Sequence, residues 1–180
     1  MLQIVVPSME LWDEQNEIIV RTKEQTLRLE HSLISVSKWE SKWHKPFLEE
    51  AEKTFEEMND YIRCMTITQN VDPNVYNYLT RENRREINEY IDDKHTATTF
   101  REDKYQKKSR ERITSELIYY WMVAYNIPFD CQTWHLNRLL TLIKICSVKN
   151  QPQKKRNARE IARDYAAINA ERRKMWNTSG

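Results

Sequence analysis

The sequence predicts a mainly α-helical domain with a small N-terminal β-hairpin or sheet element and a C-terminal amphipathic helix. Three observations predict it. The one glycine in the 180 residues is Gly180, whereas all-β folds use glycine freely in tight turns. Apolar residues recur at spacings of three and four through most of the chain, the mark of amphipathic helices. The exception is the first 33 residues or so, where short β-branched runs alternate with polar residues. We place one mostly helical domain over residues 1–150, with its β element at about 1–33, and a basic amphipathic helical tail over 151–180. A chain of this length buries a real core.

Leu2 to Val6 is apolar and β-branched, and Pro7 ends it. Ile18 to Val20 is a second such run. The polar, turn-forming Asp13 to Asn16 lies between them, so a hairpin is expected. Thr26 to His31 alternates like a half-buried strand. A helix through Leu29, Leu33, Val36 and Trp43 competes for the same residues; we assign strand to about Leu33. Ser37 and Glu40 have the spacing of a capping box, so a short helix should follow and stop before Pro46. Trp39 and Trp43 lie four apart on one face of it. Two tryptophans in a polar segment either anchor to the core, the commoner outcome, or mark a binding surface. Thr54 and Glu57 form a second capping box, followed by Phe55, Met58, Tyr61, Ile62 and Met65 at helical spacing. Asp72-Pro73 is a further helix start. Thr80 caps a charged helix whose Ile87, Tyr90 and Ile91 face inward. Lys94 to Lys108 is polar and aperiodic and reads as an exposed loop or linker.

The most apolar stretch, Glu116 to Asn150, reads as two helices at a tight corner. Ile113, Leu117, Tyr120, Trp121 and Ala124 share one face of the first. Pro128 breaks the helix, and Asp130 is placed to cap the second. There Trp134, Leu136, Leu139, Leu140, Leu142, Ile143 and Cys146 cover more than one face, which predicts a central helix or a partner's docking place. Asn137 and Arg138 sit among these apolar residues. An ion pair from Arg138 to Glu116 is the expected solution, a recognition contact the alternative. In the tail, Asn157 caps a last helix with Ile161, Tyr165 and Ile168, and less firmly Met175 and Trp176, on one side.

Charge is uneven. From Lys149 onward nine Lys and Arg stand against three acids, a net +6; the remainder carries twenty against twenty-four, a net −4. Lys154, Lys155, Arg156, Arg159, Arg163, Arg172 and Arg173 are thus candidate contacts to an acidic partner, although a solvated helix face is the more ordinary reading of such a run. The tail lacks zinc spacing, glycine–aromatic motifs and a basic-region zipper, so nucleic acid is not the expected partner.

No catalytic or metal-ligating residue is assigned, and no cofactor is expected. Without internal glycine there is neither a phosphate loop nor a nucleophile elbow. His31, His44, His95 and His135 fall in different segments and show no metal-ligand spacing. Cys131 and His135, four apart, are expected to be a buried thiol beside a hydrogen-bonded histidine. No apolar run is long enough to cross a bilayer, and the N-terminus does not read as a signal peptide. The odd set Cys64, Cys131 and Cys146 suits reduced thiols in a cytosol.

Two blocks of sequence carry a family resemblance. One runs from Lys23-Glu24-Gln25-Thr26-Leu27 through Leu29-Glu30-His31-Ser32-Leu33 and Ser37-Lys38-Trp39-Glu40-Ser41-Lys42-Trp43 to Lys45-Pro46-Phe47-Leu48. The other joins Tyr119-Tyr120-Trp121-Met122, Asn126-Ile127-Pro128-Phe129, Trp134-His135-Leu136-Asn137-Arg138-Leu139-Leu140 and Lys149-Asn150-Gln151-Pro152. Together they resemble the tail assembly chaperones of long-tailed phages over nearly the whole chain. The resemblance implies a non-catalytic protein of the host cytoplasm that binds the helical tape measure protein during tail assembly and is not retained in the virion. A helix-in-groove mode would then use aromatic anchors, and Trp39, Trp43, Trp121, Trp134 and Arg138 are the candidate partner-binding residues. The alternatives are a structural tail or neck component and a nucleic-acid-binding protein using the basic tail. The oligomeric state stays open, a homo-oligomer included.

Overall fold

The computed structural model describes residues 1–13, 18–49, 51–100, 112–150 and 158–176. It is mainly α-helical and divides into two compact units, Met1–Ser147 and Val148–Gly180. Four strands come first: β1 (Leu2–Val6), β2 (Glu10–Asp13), β3 (Ile18–Arg21) and β4 (Gln25–Leu29). Helices α1 (Leu33–Trp43), α2 (Phe55–Met65), α3 (Arg81–Asp92), α4 (Ser115–Ala124), α5 (Leu136–Asn150) and α6 (Ala158–Trp176) follow.

The expected hairpin is rearranged. Ile18–Arg21 pairs with Glu10–Asp13, while Leu2–Val6 pairs antiparallel with β4, in the register Leu2 to Leu29, Ile4 to Leu27 and Val6 to Gln25. That register puts Ile4, Val6, Leu27 and Leu29 on one buried face, as a period of two requires. The other edge of β4 is covered by the end of α2: Ile67 N–H donates to Arg28 C=O at 2.8 Å and Glu30 N–H to Met65 C=O at 2.9 Å. A short sheet is thereby closed on that side against further pairing.

The strand ends at Leu29, not near Leu33, and Ser37 does not cap α1. Ser32 does, its hydroxyl accepting from the Ser35 N–H. The earlier start aligns Leu33, Val36 and Trp39 as one buried stripe. Thr54 and Glu57 close the expected capping box on α2, and Thr80 with Asn83 makes another on α3. Asp72 starts only a short 3-10 helix over Pro73–Asn77. Phe55, placed at helical spacing with the core residues of α2, is instead exposed.

Every described residue with positive φ is His or Asn: His44, Asn70, His95 and Asn126. With no glycine at hand, these residue types carry the left-handed positions, because their short polar side chains tolerate αL best. Asn126 (φ 54°) ends α4. Ile127 N–H donates to Met122 C=O and Asn126 N–H to Val123 C=O, the two bonds of a Schellman motif. Asp130 does not cap α5. A short 3-10 helix over Phe129–Thr133 intervenes, and the first free N–H of α5, on Leu136, is met by His31 C=O at 2.7 Å.

Glu40, on α1, ties distant segments together. Its buried carboxylate accepts from Phe47 N–H at 2.8 Å and from Ser115 N–H, at the start of α4, at 2.7 Å. Among the described residues no helix is long and apolar enough to cross a membrane.

Candidate functional site

The first helix of the central stretch does not bury the stripe that Ile113, Leu117, Tyr120, Trp121 and Ala124 form. Thr114 caps α4, and Ser115, Ile118 and Met122 form its buried side. That stripe faces largely outward: Ile113 is 38 % and Tyr120 65 % exposed, Ala124 is exposed, and Leu117 and Trp121 are half-buried. Val123 is exposed as well. α4 is apolar around nearly its whole circumference, so periodicity could not choose the buried side.

Alongside this stripe runs a cleft of about 390 Å³ between α4 and α5. Ile113, Trp121 and Tyr125 form one wall, and Leu140, Ile143, Lys144 and Ser147 the other. A second cleft of about 330 Å³ shares Leu140 and Lys144 and is walled by Lys94, Thr96, Thr98, Thr99 and Phe100. Lys144 Nζ sits 4.4 Å over the Phe100 ring. Among the described residues that line the two clefts there is no carboxylate. The cleft between α4 and α5 is mostly apolar, the second is lined largely by threonines and Asn137, and Lys94 and Lys144 bring positive charge to them. Such a surface suits an amphipathic helix with acids beside its apolar stripe.

The other candidate residues are distributed differently. Trp39 is 1 % exposed, and its Nε1–H donates to Glu57 C=O at 2.8 Å. It is a core anchor and offers no surface to a partner. Trp43 stacks on Trp39 with ring centres 6.2 Å apart and donates to Asp60 Oδ2 at 3.0 Å. Both tryptophans therefore fasten α1 to α2. Burial acts to raise the Asp60 pKa, but hydrogen bonds from Lys42 and Trp43 outweigh it and hold the carboxyl below its usual range. Trp134 is half-buried under the guanidinium of Arg138, which lies 4.1 Å over its ring. The Glu116 to Arg138 ion pair does not form: both residues are exposed, and Arg138 stacks on Trp134 instead. Asn137 donates to Ile91 C=O at 2.9 Å and Asp93 C=O at 2.8 Å, so it caps the end of α3. Arg163, Arg172 and Arg173 are exposed on α6. Lys154, Lys155 and Arg156 lie outside the described residues, as does the Arg159 side chain.

Three histidines scattered in sequence meet in space. His31 and His135 rings are 5.0 Å apart, His135 and His95 4.1 Å, and Tyr90 packs on both of the latter. His31 and His135 are buried at 2 % and 6 % exposure. Burial, reinforced by repulsion from His135 and His95, pushes the His31 pKa down to about 3. Burial also lowers His135. Tyr61, whose pKa burial raises, keeps its proton and donates it to His31 Nδ1. His135 Nε2 bonds Tyr90 C=O at 2.9 Å, while its buried Nδ1 has no partner. The cluster is an aromatic seam joining the β4–α1 corner, the end of α3 and the start of α5. Its rings pack through faces and edges, and among the described residues no group of three or more His, Cys, Asp or Glu is arranged to hold a metal ion. Cys131 is buried and free. Spacing could not reveal the seam, because its members are 40 and 64 residues from one another.

No family model, no curated protein and no solved structure matches the chain.

Proposed function

We propose that the chain is a non-catalytic assembly chaperone of a tailed phage, acting in the host cytoplasm. On this reading it holds an amphipathic helical segment of the tape measure protein in the trough along α4 and α5 and releases it before the virion is complete. The observation that carries the reading is the outward apolar stripe of α4 beside an apolar cleft. A helix of this composition in an isolated domain leaves Ile113, Tyr120, Trp121 and Val123 in contact with water, and a surface of that kind marks an interaction site. The resemblance to tail assembly chaperones supplies the identity of the partner. Of the residues first considered for contact, Trp121 belongs to this surface; Trp39 contributes through the fold alone.

The test is co-expression with the tape measure protein, followed by affinity capture of this chain. Co-purification that is lost with Trp121→Ala or Leu140→Asp, but kept with the exposed-face change Arg85→Ala on α3, supports the reading. A tape measure protein that stays insoluble and is never captured refutes it. Recovery of this chain at fixed stoichiometry in purified particles would instead identify a structural tail or neck component.

A further inference from the structure

Helix α6, in the second unit, poses its own problem. It spans 19 residues, and every described side chain from Ala162 to Trp176 is exposed. These include Tyr165 at 64 %, Ile168 at 46 %, Met175 at 77 % and Trp176 at 70 %. A single helix in water is held only weakly by its own backbone bonds; burial of an apolar face supplies most of the stability. The arrangement of that face says what covers it. Tyr165, Ile168, Arg172 and Met175 follow one another at spacings of three, four and three, which is the seam of a coiled coil. Ala162 flanks the seam, while Ala166, Ala167 and Ala170 lie on the side away from it.

We propose that α6 pairs with α6 of a second copy of this chain, in parallel and in register, with Tyr165, Ile168 and Met175 along the seam. Two features select this occupant and this direction. A charged residue within a seam needs an opposite charge across it, and in a parallel pair the residue preceding the seam position faces it from the other strand. Here that residue is Glu171, so Arg172 of each copy meets Glu171 of the other. Turning one helix end for end would pack Arg172 against Ile168 of the other copy, an apolar seam residue, and lose its pairing with Glu171. The basic residues Arg163, Arg173 and Lys174 fall away from the seam and remain in water. The copies would thus be joined through α6.

The experiment is sedimentation of the full chain over a range of concentrations, with far-UV circular dichroism as a control for folding. A dimer is expected. Ile168→Asp should weaken it at least tenfold. Arg172→Glu should do the same, and the charge swap Glu171→Arg with Arg172→Glu should restore it. Met175→Cys should cross-link to itself under mild oxidation, while the wild-type chain, whose Cys131 is buried and Cys64 and Cys146 are half-buried, should not. The proposal is overturned by a chain that stays monomeric throughout, or by a dimer indifferent to Ile168→Asp. It also falls if a dimer sensitive to Ile168→Asp is not cross-linked by Met175→Cys, which would mean another direction or another partner surface.

Discussion

Mild acid should loosen the first unit of this protein in a pH range where its carboxylates are still ionised. His31 is neutral when folded, with a pKa of about 3 against an ordinary value of 6.5. The unfolded chain therefore binds more protons than the folded one between those values, and stability falls as pH falls through that window. Above pH 6.5 the stabilisation is fully present. At pH 5 the unfolded imidazole lies about 1.5 units below its pKa, and at ~1.36 kcal/mol per unit His31 alone removes roughly 2 kcal/mol. For a unit of this size that lowers Tm by about 4–8 °C. His135, also lowered, adds to the loss in the same direction. Glu57, held down first by the Lys45 hydrogen bond, and Asp60 contribute only at lower pH, as their carboxyls begin to protonate. Thermal unfolding followed by tryptophan fluorescence at pH 7.5 and pH 5 reads the effect. His31→Gln cannot gain charge yet still offers Tyr61 an acceptor. It should be less stable at pH 7.5 but should shed about 2 kcal/mol of the pH dependence. An unchanged wild-type Tm across the range, or a variant as acid-sensitive as the wild type, would refute a buried, neutral His31.

Three further outcomes follow from local geometry. Glu40→Ala orphans the Phe47 and Ser115 N–H groups and should cost about 3–6 kcal/mol in urea unfolding, since bonds to a charged group are worth ~1.5–3 kcal/mol each; Glu40→Gln keeps one acceptor and should lose about half. Asn126→Gly should be neutral or stabilising at φ 54°, whereas Asn126→Val should cost roughly 1–2 kcal/mol by calorimetry, because a branched side chain clashes in αL. Thr54→Ala removes half of the capping box on α2 and should cost ~1 kcal/mol, measured as a shift in the denaturant midpoint.

What was legible in the sequence was what a few adjacent residues decide. Thr54 with Glu57 and the Thr80 cap announced α2 and α3 at their correct starts, because a cap and its partner lie within one turn. Pairing across distance was not legible. Leu2–Val6 finds β4 rather than Ile18–Val20, and nothing local distinguishes the two partners. Ser37 mimicked a cap that Ser32 provides, since both serines are followed by helix-compatible residues. The candidate trough is half legible: Trp121 stands out as an aromatic anchor, but α4 is apolar on so many sides that periodicity does not say which face is buried. The histidine seam left no trace, as its members come together only when the whole unit has folded.

That dependence on distant parts has a consequence in time. During synthesis the chain leaves the ribosome from its N-terminal end. Glu40 emerges 75 residues before Ser115, its second hydrogen-bond donor. The His31 carbonyl waits still longer for the Leu136 amide, and Ser32 for the bridge it forms with His135. Sheet β1–β4 and helices α1 and α2 are thus complete as segments while a carboxylate and a backbone carbonyl meant for the interior remain without their partners. The unit has no natural stopping point short of α5, so nascent chains arrested before residue 136 should be open to protease, and those extended past α5 should close in one late step.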